Sequence, residues 1–174
     1  MKKIVLINPT IAYEAEIKKY VEEFDNKVIE GSSQLFAMSN IKEWLQYLKN
    51  QKDAKNLPLG RVPSLEFLVV DIESTELVGL VNIRLSLTEY LLNYGGHIGY
   101  SVSPKHRRKG YGTEILKLAL QEATKHGIKQ VLVTCKADNI GSMKVILNNK
   151  GILEDQRYEP EQKLVFNRYW ISVE

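Results

Sequence analysis

Apolar and polar positions along the chain alternate between two periods, and the switches between them mark the elements. KKIVLIN opens with a short β-rich run, punctuated by Pro9 and Thr10. Ile17, Tyr20, Val21 and Phe24 then recur at helical spacing, as do Ile41, Trp44, Leu45 and Leu48 further on. Ser39 or Asn40 is placed to cap the second helix, which dissolves into the polar, Pro-containing NQKDAKNLPLGRVP. Three strand-like runs follow, LEFLVVDI, ELVGLVNIRLSL and HIGYSVS, the last two joined by the longer TEYLLNYGG. A helix over 113–126, stopped by Gly127, leads to the strand KQVLVTC, a helix over 140–149 and two strands, GILEDQRYE and KLVFNRYWISV, hinged near Pro160. The predicted order is β α α β β β α β α β β. Strands mixed with helices in this way point to an α/β domain with a central mixed sheet and helices on both faces. No linker, repeat or low-complexity segment divides residues 1–174, so a single domain is expected.

Composition narrows the function classes. With 44% hydrophobic and 26% charged residues, the chain reads as an ordinary globule. A net charge of +3 is too small for a general nucleic-acid binder. Its single cysteine, Cys135, excludes an intrachain disulfide and a Cys-rich zinc site. His97, His106 and His126 show no metal-ligand spacing, so no metal is expected. The first residues lack the apolar run of a secretion signal, and no stretch approaches the roughly 20 apolar residues that span a bilayer. The expected location is the cytoplasm, away from membranes.

One stretch resists a purely structural account. SPKHRRKGYGTEILKLAL places five consecutive basic residues, Lys105 to Lys109, before a helix. A helix N-terminus already carries about half a positive charge and unpaired N–H groups, so it favours anions. Arg107, Gly110 and Gly112, spaced R-x-x-G-x-G, let a backbone turn closely around a phosphate. The Walker pattern is absent, and Ile115 stands where a dinucleotide loop needs its third glycine. Two simpler readings remain: the glycines shape a turn beside a solvated basic run, or KHRRK contacts nucleic acid.

HIGYSVSPKHRRKGYGTEILKLAL followed, one strand later, by TCKADNIGSMKVI resembles the GNAT superfamily of N-acetyltransferases. Its acetyl-CoA loop reads [QR]-x-x-G-x-[GA], and its next strand ends in an Asn that opens a helix as N-x-x-[SA]. IGYSV, KGYGTE and NIGS look most like the branch of ribosomal-protein N-acetyltransferases and their bacterial relatives. The resemblance implies a mostly antiparallel sheet with a splayed strand pair holding acetyl-CoA. It implies that Arg107, Arg108, Lys109, Gly110, Tyr111, Gly112 and Thr113 hold the pyrophosphate. Val102 would pair with the pantetheine arm, and Asn139 and Ser142 would contact it from the other side.

Such a reaction is direct attack by an amine on a thioester, requiring a base, an oxyanion donor and an acid for the thiolate. His97 stands near the place where many relatives carry a Glu and is the first candidate base; Glu89 is the second. A strand histidine satisfied by hydrogen bonds is the competing reading. Relatives often place a Tyr seven residues after the Asn, but here that residue is Ile146, which has no proton to give. Tyr100 and Tyr158 are the substitutes. Cys135 ends an apolar strand and reads as a buried small hydrophobe. The expected partner is an amine-bearing acceptor, recognised between Ser32 and Arg61, with no nucleic acid or membrane. KLVFNRYWISV is expected to be a sheet edge able to form a homodimer. A non-catalytic acyl-CoA-binding module is the alternative function.

Overall fold

The computed structural model describes residues 2–25 and 28–173. Elements follow the predicted order: β1 (Ile4–Ile7), α1 (Glu14–Glu22), α2 (Ile41–Gln51), β2 (Ser64–Asp71), β3 (Leu77–Arg84), β4 (Ile98–Val102), α3 (Tyr111–Lys125), β5 (Gln130–Lys136), α4 (Ile140–Asn148), β6 (Ile152–Glu159) and β7 (Leu164–Ser172). The strands form two sheets instead of one, in the orders β1-β2-β3-β4 and β5-β7-β6. Every ladder in both is antiparallel.

Alternation along β2, and along β3 apart from a register shift opposite Val69 and Val70, explains why helices cover both faces. Phe67, Val69, Val78, Val81 and Ile83 point to a core shared with Ile115, Leu116 and Ala119 of α3. Leu68, Val70, Leu77 and Leu80 point the other way, against Ile17 and Tyr20 of α1 and Trp44 and Leu48 of α2. A strand buried on both faces reads as a continuous apolar run, as LEFLVVDI does. Fully burying one such side chain contributes about 1.5–3 kcal/mol, so the two cores fix the sheet between the helix layers. Polar residues on the α1/α2 face, Glu66 and Asn82, are buried as well.

Caps set the helix ends. Asn40 Oδ1 accepts from Glu43 N at 2.9 Å, and Glu43 Oε2 accepts from Ser39 N at 2.9 Å, a reciprocal cap that settles the choice between Ser39 and Asn40. Helix α4 ends where Lys150 takes a φ of 63° and Gly151 N donates to Ile146 O at 3.0 Å. One expectation is corrected. KLVFNRYWISV is not an edge: β7 lies between β5 and β6, which are the two edges of that sheet.

Candidate active site

The site begins where the two sheets touch. Strand β4 is the edge of one sheet and β5 the edge of the other. They meet at His97, whose N–H donates to Leu132 O at 2.7 Å while Leu132 N–H donates to His97 Nδ1 at 2.9 Å. The imidazole stands in for the carbonyl that a ladder would offer next, and β4 and β5 share no ladder beyond it. Past this junction a cleft of about 890 Å³ opens between β4 and the starts of α3 and α4, lined by Tyr100, Val102, Gly112, Asn139 and Ser142, among others.

The basic run forms one end of this cleft, and its five residues divide. Lys105 Nζ bonds Glu23 Oε1 at 2.8 Å, and His106 Nε2 lies 3.3 Å from Glu76 Oε2. Burial acts to raise the Glu23 pKa, yet the bonds from Lys105 and Ser103 hold it below the ordinary glutamate value. Arg107, Arg108 and Lys109 have no carboxylate partner among the described residues. Arg107 instead bonds Val102 O through Nε at 3.3 Å and lies over the Phe24 ring at 5.6 Å. Arg108 and Gly110 take φ values of 58° and 86°, turning the chain so that α3 starts at Tyr111 with no side chain capping it. Its first-turn N–H groups therefore face an anion site without an internal acceptor. Tyr111 contributes only backbone, because its buried hydroxyl donates to Asp71 Oδ2 at 2.5 Å. Lys109 is exposed and off the lining, whereas Arg107, Arg108, Gly110, Gly112 and Thr113 line it.

The opposite wall comes from α4. Asn139 Oδ1 caps it by accepting from Ser142 N at 3.0 Å. Asn149 Nδ2 donates to Thr113 O at 3.1 Å, tying the end of α4 to the start of α3. Tyr100 Oη and Ser142 Oγ stand 3.0 Å apart, one hydrogen bond spanning from β4 to α4. Burial, eased by Ser142 and reinforced by Cys135, pushes the Tyr100 pKa up to about 12, so the phenol keeps its proton. Ile146 is fully buried in the core and contributes nothing to the wall.

The family model of the acetyltransferase (GNAT) domain matches residues 13–150. The chain belongs to the GNAT acetyltransferase family. It is accordingly an acetyl-CoA-dependent N-acetyltransferase. The fold is shared with the microcin C7 self-immunity acetyltransferase MccE in complex with acetyl-CoA and AMP, at 19% identity over 98% of this chain and 93% of that one, TM-score 0.70. It is shared with RimL, a ribosomal L7/L12 alpha-N-protein acetyltransferase solved with coenzyme A, at 14% identity over 99% and 96% of the two chains, TM-score 0.69. A GNAT acetyltransferase from Streptococcus pneumoniae has 13% identity over 99% and 100%, TM-score 0.68. No curated protein matches the sequence. Acetyl-CoA fits what this chain offers: an uncapped helix start, two arginines without a carboxylate partner among the described residues, and a strand edge along one cleft.

A second cavity, about 470 Å³, opens on the α1/α2 face of this GNAT fold. Ser32, Ser33, Gln34, Tyr47, Gln51 and Arg61 line it, within the segment expected to recognise the acceptor. Sequence reasoning missed its remaining wall, Asn82 and Arg84 of β3 with Thr88 and Tyr90 after it. Glu30 borders both this cavity and the cofactor cleft, and it was missed too. A sequence signal existed for the β3 pair. Asn82 and Arg84 interrupt an apolar strand at period 2, so their side chains share one face. For Glu30, which lies on an irregular loop, no comparable pattern exists.

The loop carrying Glu30 is held close against β4. Gly31 has a φ of 71°, and a Cβ there would sit 2.4 Å from Gly99 O. Trp44 Nε1 donates to Ser32 O and Ser33 O, each at 3.1 Å, and Ser33 Oγ donates to buried Glu66 at 2.5 Å. Burial raises the Glu66 pKa well above the usual glutamate value, against the pull of Ser33, Asn82 and Arg84.

Two candidate bases are not brought to the cleft. His97 is buried at the junction of the sheets, its Nδ1 occupied by Leu132, and it lines neither cavity. Burial first and Arg84 second lower its pKa to about 4, against the Leu132 bond. Glu89 is exposed, lines neither cavity and uses its carbonyl to hold Asn93 Nδ2 at 2.8 Å. Tyr158 is likewise exposed, on the edge strand β6, with Tyr94 Oη bonding its carbonyl.

Proposed function

We propose that residues 1–174 act as one cytoplasmic domain that acetylates a small amine by direct attack, with Glu30 and Tyr100 managing the protons. The observation carrying this reading is that the cofactor cleft and the second cavity adjoin at Glu30, while Tyr100 lies on the cleft wall. When bound, acetyl-CoA supplies an acetyl group activated as a thioester. Arg107, Arg108 and the N–H groups at the start of α3 would hold its phosphates, and Val102, Asn139 and Ser142 would border the arm. Glu30 then orients the acceptor ammonium and receives its proton, directly or through water. Tyr100 would hold a proton on Oη at the wall of the cleft, available to a thiolate departing there, and Ser142 would keep that hydroxyl in place. Location rests on the single cysteine and on the absence, among the described residues, of a helix long and apolar enough to cross a membrane.

Thiol release from acetyl-CoA, measured with a panel of amines, tests the activity. Tyr100→Phe removes one hydroxyl and no cofactor contact made by the basic loop. Its expected effect is a fall in kcat of about 10²-fold, the lower share of a general acid, with acetyl-CoA affinity near that of the wild type. Wild-type kcat in the variant at every pH would remove Tyr100 from the mechanism.

A further inference from the structure

Charge in the second cavity distinguishes among amines. Arg84 is tethered by Nη1, which donates to Gly95 O at 2.9 Å and Gly96 O at 3.0 Å. Neither Arg84 nor Arg61, its neighbour in the cavity wall, pairs with a carboxylate among the described residues. A guanidinium drawn out of water is costly unless an anion meets it; Glu30 and Glu66 act on Arg84 from beyond ion-pair distance, which leaves its face of the cavity open to a ligand that brings a carboxylate into contact. Glu66 lies on the same face, its Oε2 accepting from Ser33 Oγ and its Oε1 without a hydrogen-bond partner among the described residues. Position matters as much as charge. Arg84 Nη2 lies 3.5 Å from the point where a Cβ on Gly99 would stand, and Gly99 precedes Tyr100 in β4. The guanidinium therefore sits close to the reacting end of the cavity, and Glu30 lies on the border with the cofactor cleft.

We propose that the acceptor is a compact small molecule carrying both an amine and a carboxylate, its ammonium at Glu30 and its carboxylate on Arg84 and Arg61. This rests on the reading of the second cavity as the acceptor site. A cavity of about 470 Å³ admits a molecule of amino-acid or dipeptide size. The same two arginines repel a polyamine, whose every ionised group is positive.

The test separates binding from turnover. Calorimetric titration in the presence of coenzyme A compares glycine, 5-aminovalerate, L-leucine and L-glutamyl-glycine with their amides, and with spermidine. At least one acid is expected to bind about 10- to 100-fold more tightly than its amide, the worth of one charge-assisted bond. Spermidine is expected to bind more weakly than that acid. Arg61 is exposed, so Arg61→Gln leaves the fold intact; it should narrow the acid-over-amide ratio by about tenfold, and Arg61→Glu should reverse it. No acid binding better than its amide, spermidine binding best, or a ratio unchanged in Arg61→Gln would each overturn the inference. Thiol release on the same panel reads the activity separately: acids that bind selectively without being acetylated would refute the proposed chemistry and uphold the selectivity, and amides acetylated as well as acids would do the reverse.

Discussion

His97 shows how one side chain can shape a cofactor site without touching it. By accepting Leu132 N–H on Nδ1, the ring ends the contact between two strands that would otherwise continue to pair. Only the neutral ring can do this, because protonated Nδ1 is a donor. Folding lowers the pKa from the usual 6.5 to about 4, so as pH falls the unfolded chain takes up the proton first. The stability this supplies is present above about pH 6.5 and is lost as pH falls through 4, on the order of 2 kcal/mol after allowing for solvent screening. His97→Asn keeps an acceptor and removes the titration. Thermal melts between pH 4 and 7 should show a shallower acid slope in the variant, and parallel profiles would discard this role. The sequence made His97 conspicuous, but it showed only that the residue lay on a strand near the cleft. Which edge the ring met depended on β5, thirty-five residues away, and no local pattern encodes that.

Among the elements, the loop Glu30–Gln34 and the start of α3 both depend on left-handed backbone, yet they differ in legibility. R-x-x-G-x-G could be read because its chemistry is local: glycines, cations and a helix terminus follow one another in the chain. The acceptor loop has no code of that kind; its position is set by Trp44, Glu66 and Gly99, brought from three separate elements. Gly31 is where that position is decided. An alanine there meets Gly99 O at 2.4 Å and must keep a φ of 71°, strain of about 1–3 kcal/mol. Gly31→Ala should therefore displace the loop, raising acceptor KM at least tenfold, while acetyl-CoA affinity changes less than about threefold. Steady-state kinetics beside a cofactor titration check this; equal losses on both substrates would show that the loop serves the cleft as a whole.

At the scale of the molecule, element order and both core faces were legible because they follow from periodicity. The division into two sheets and the central place of β7 were not, since strand order is fixed by pairings between distant segments. The same distance applies to the contact between α1 and the basic loop. Glu23 accepts from Ser103 Oγ and from Lys105, and Phe24 lies beneath Arg107, so the end of α1 is fastened to the segment proposed to hold phosphate. Residues Ile29 to Gln34 of the acceptor wall follow shortly after in the chain. Steadying the basic loop is therefore expected to steady the approach to the second cavity, and the two ligands are expected to bind with positive cooperativity. Reciprocity requires each to tighten the other by one common factor, expected to be about fivefold or more. Titrating acetyl-CoA with and without the best-binding amine, and the amine with and without coenzyme A, measures that factor twice. In Glu23→Gln, which weakens the fastening and leaves both cavities their lining, it should fall toward one; an undiminished factor would place the coupling elsewhere. Under such coupling either ligand alone is held more loosely than the pair, so the protein spends less of its time half-loaded than two independent sites would.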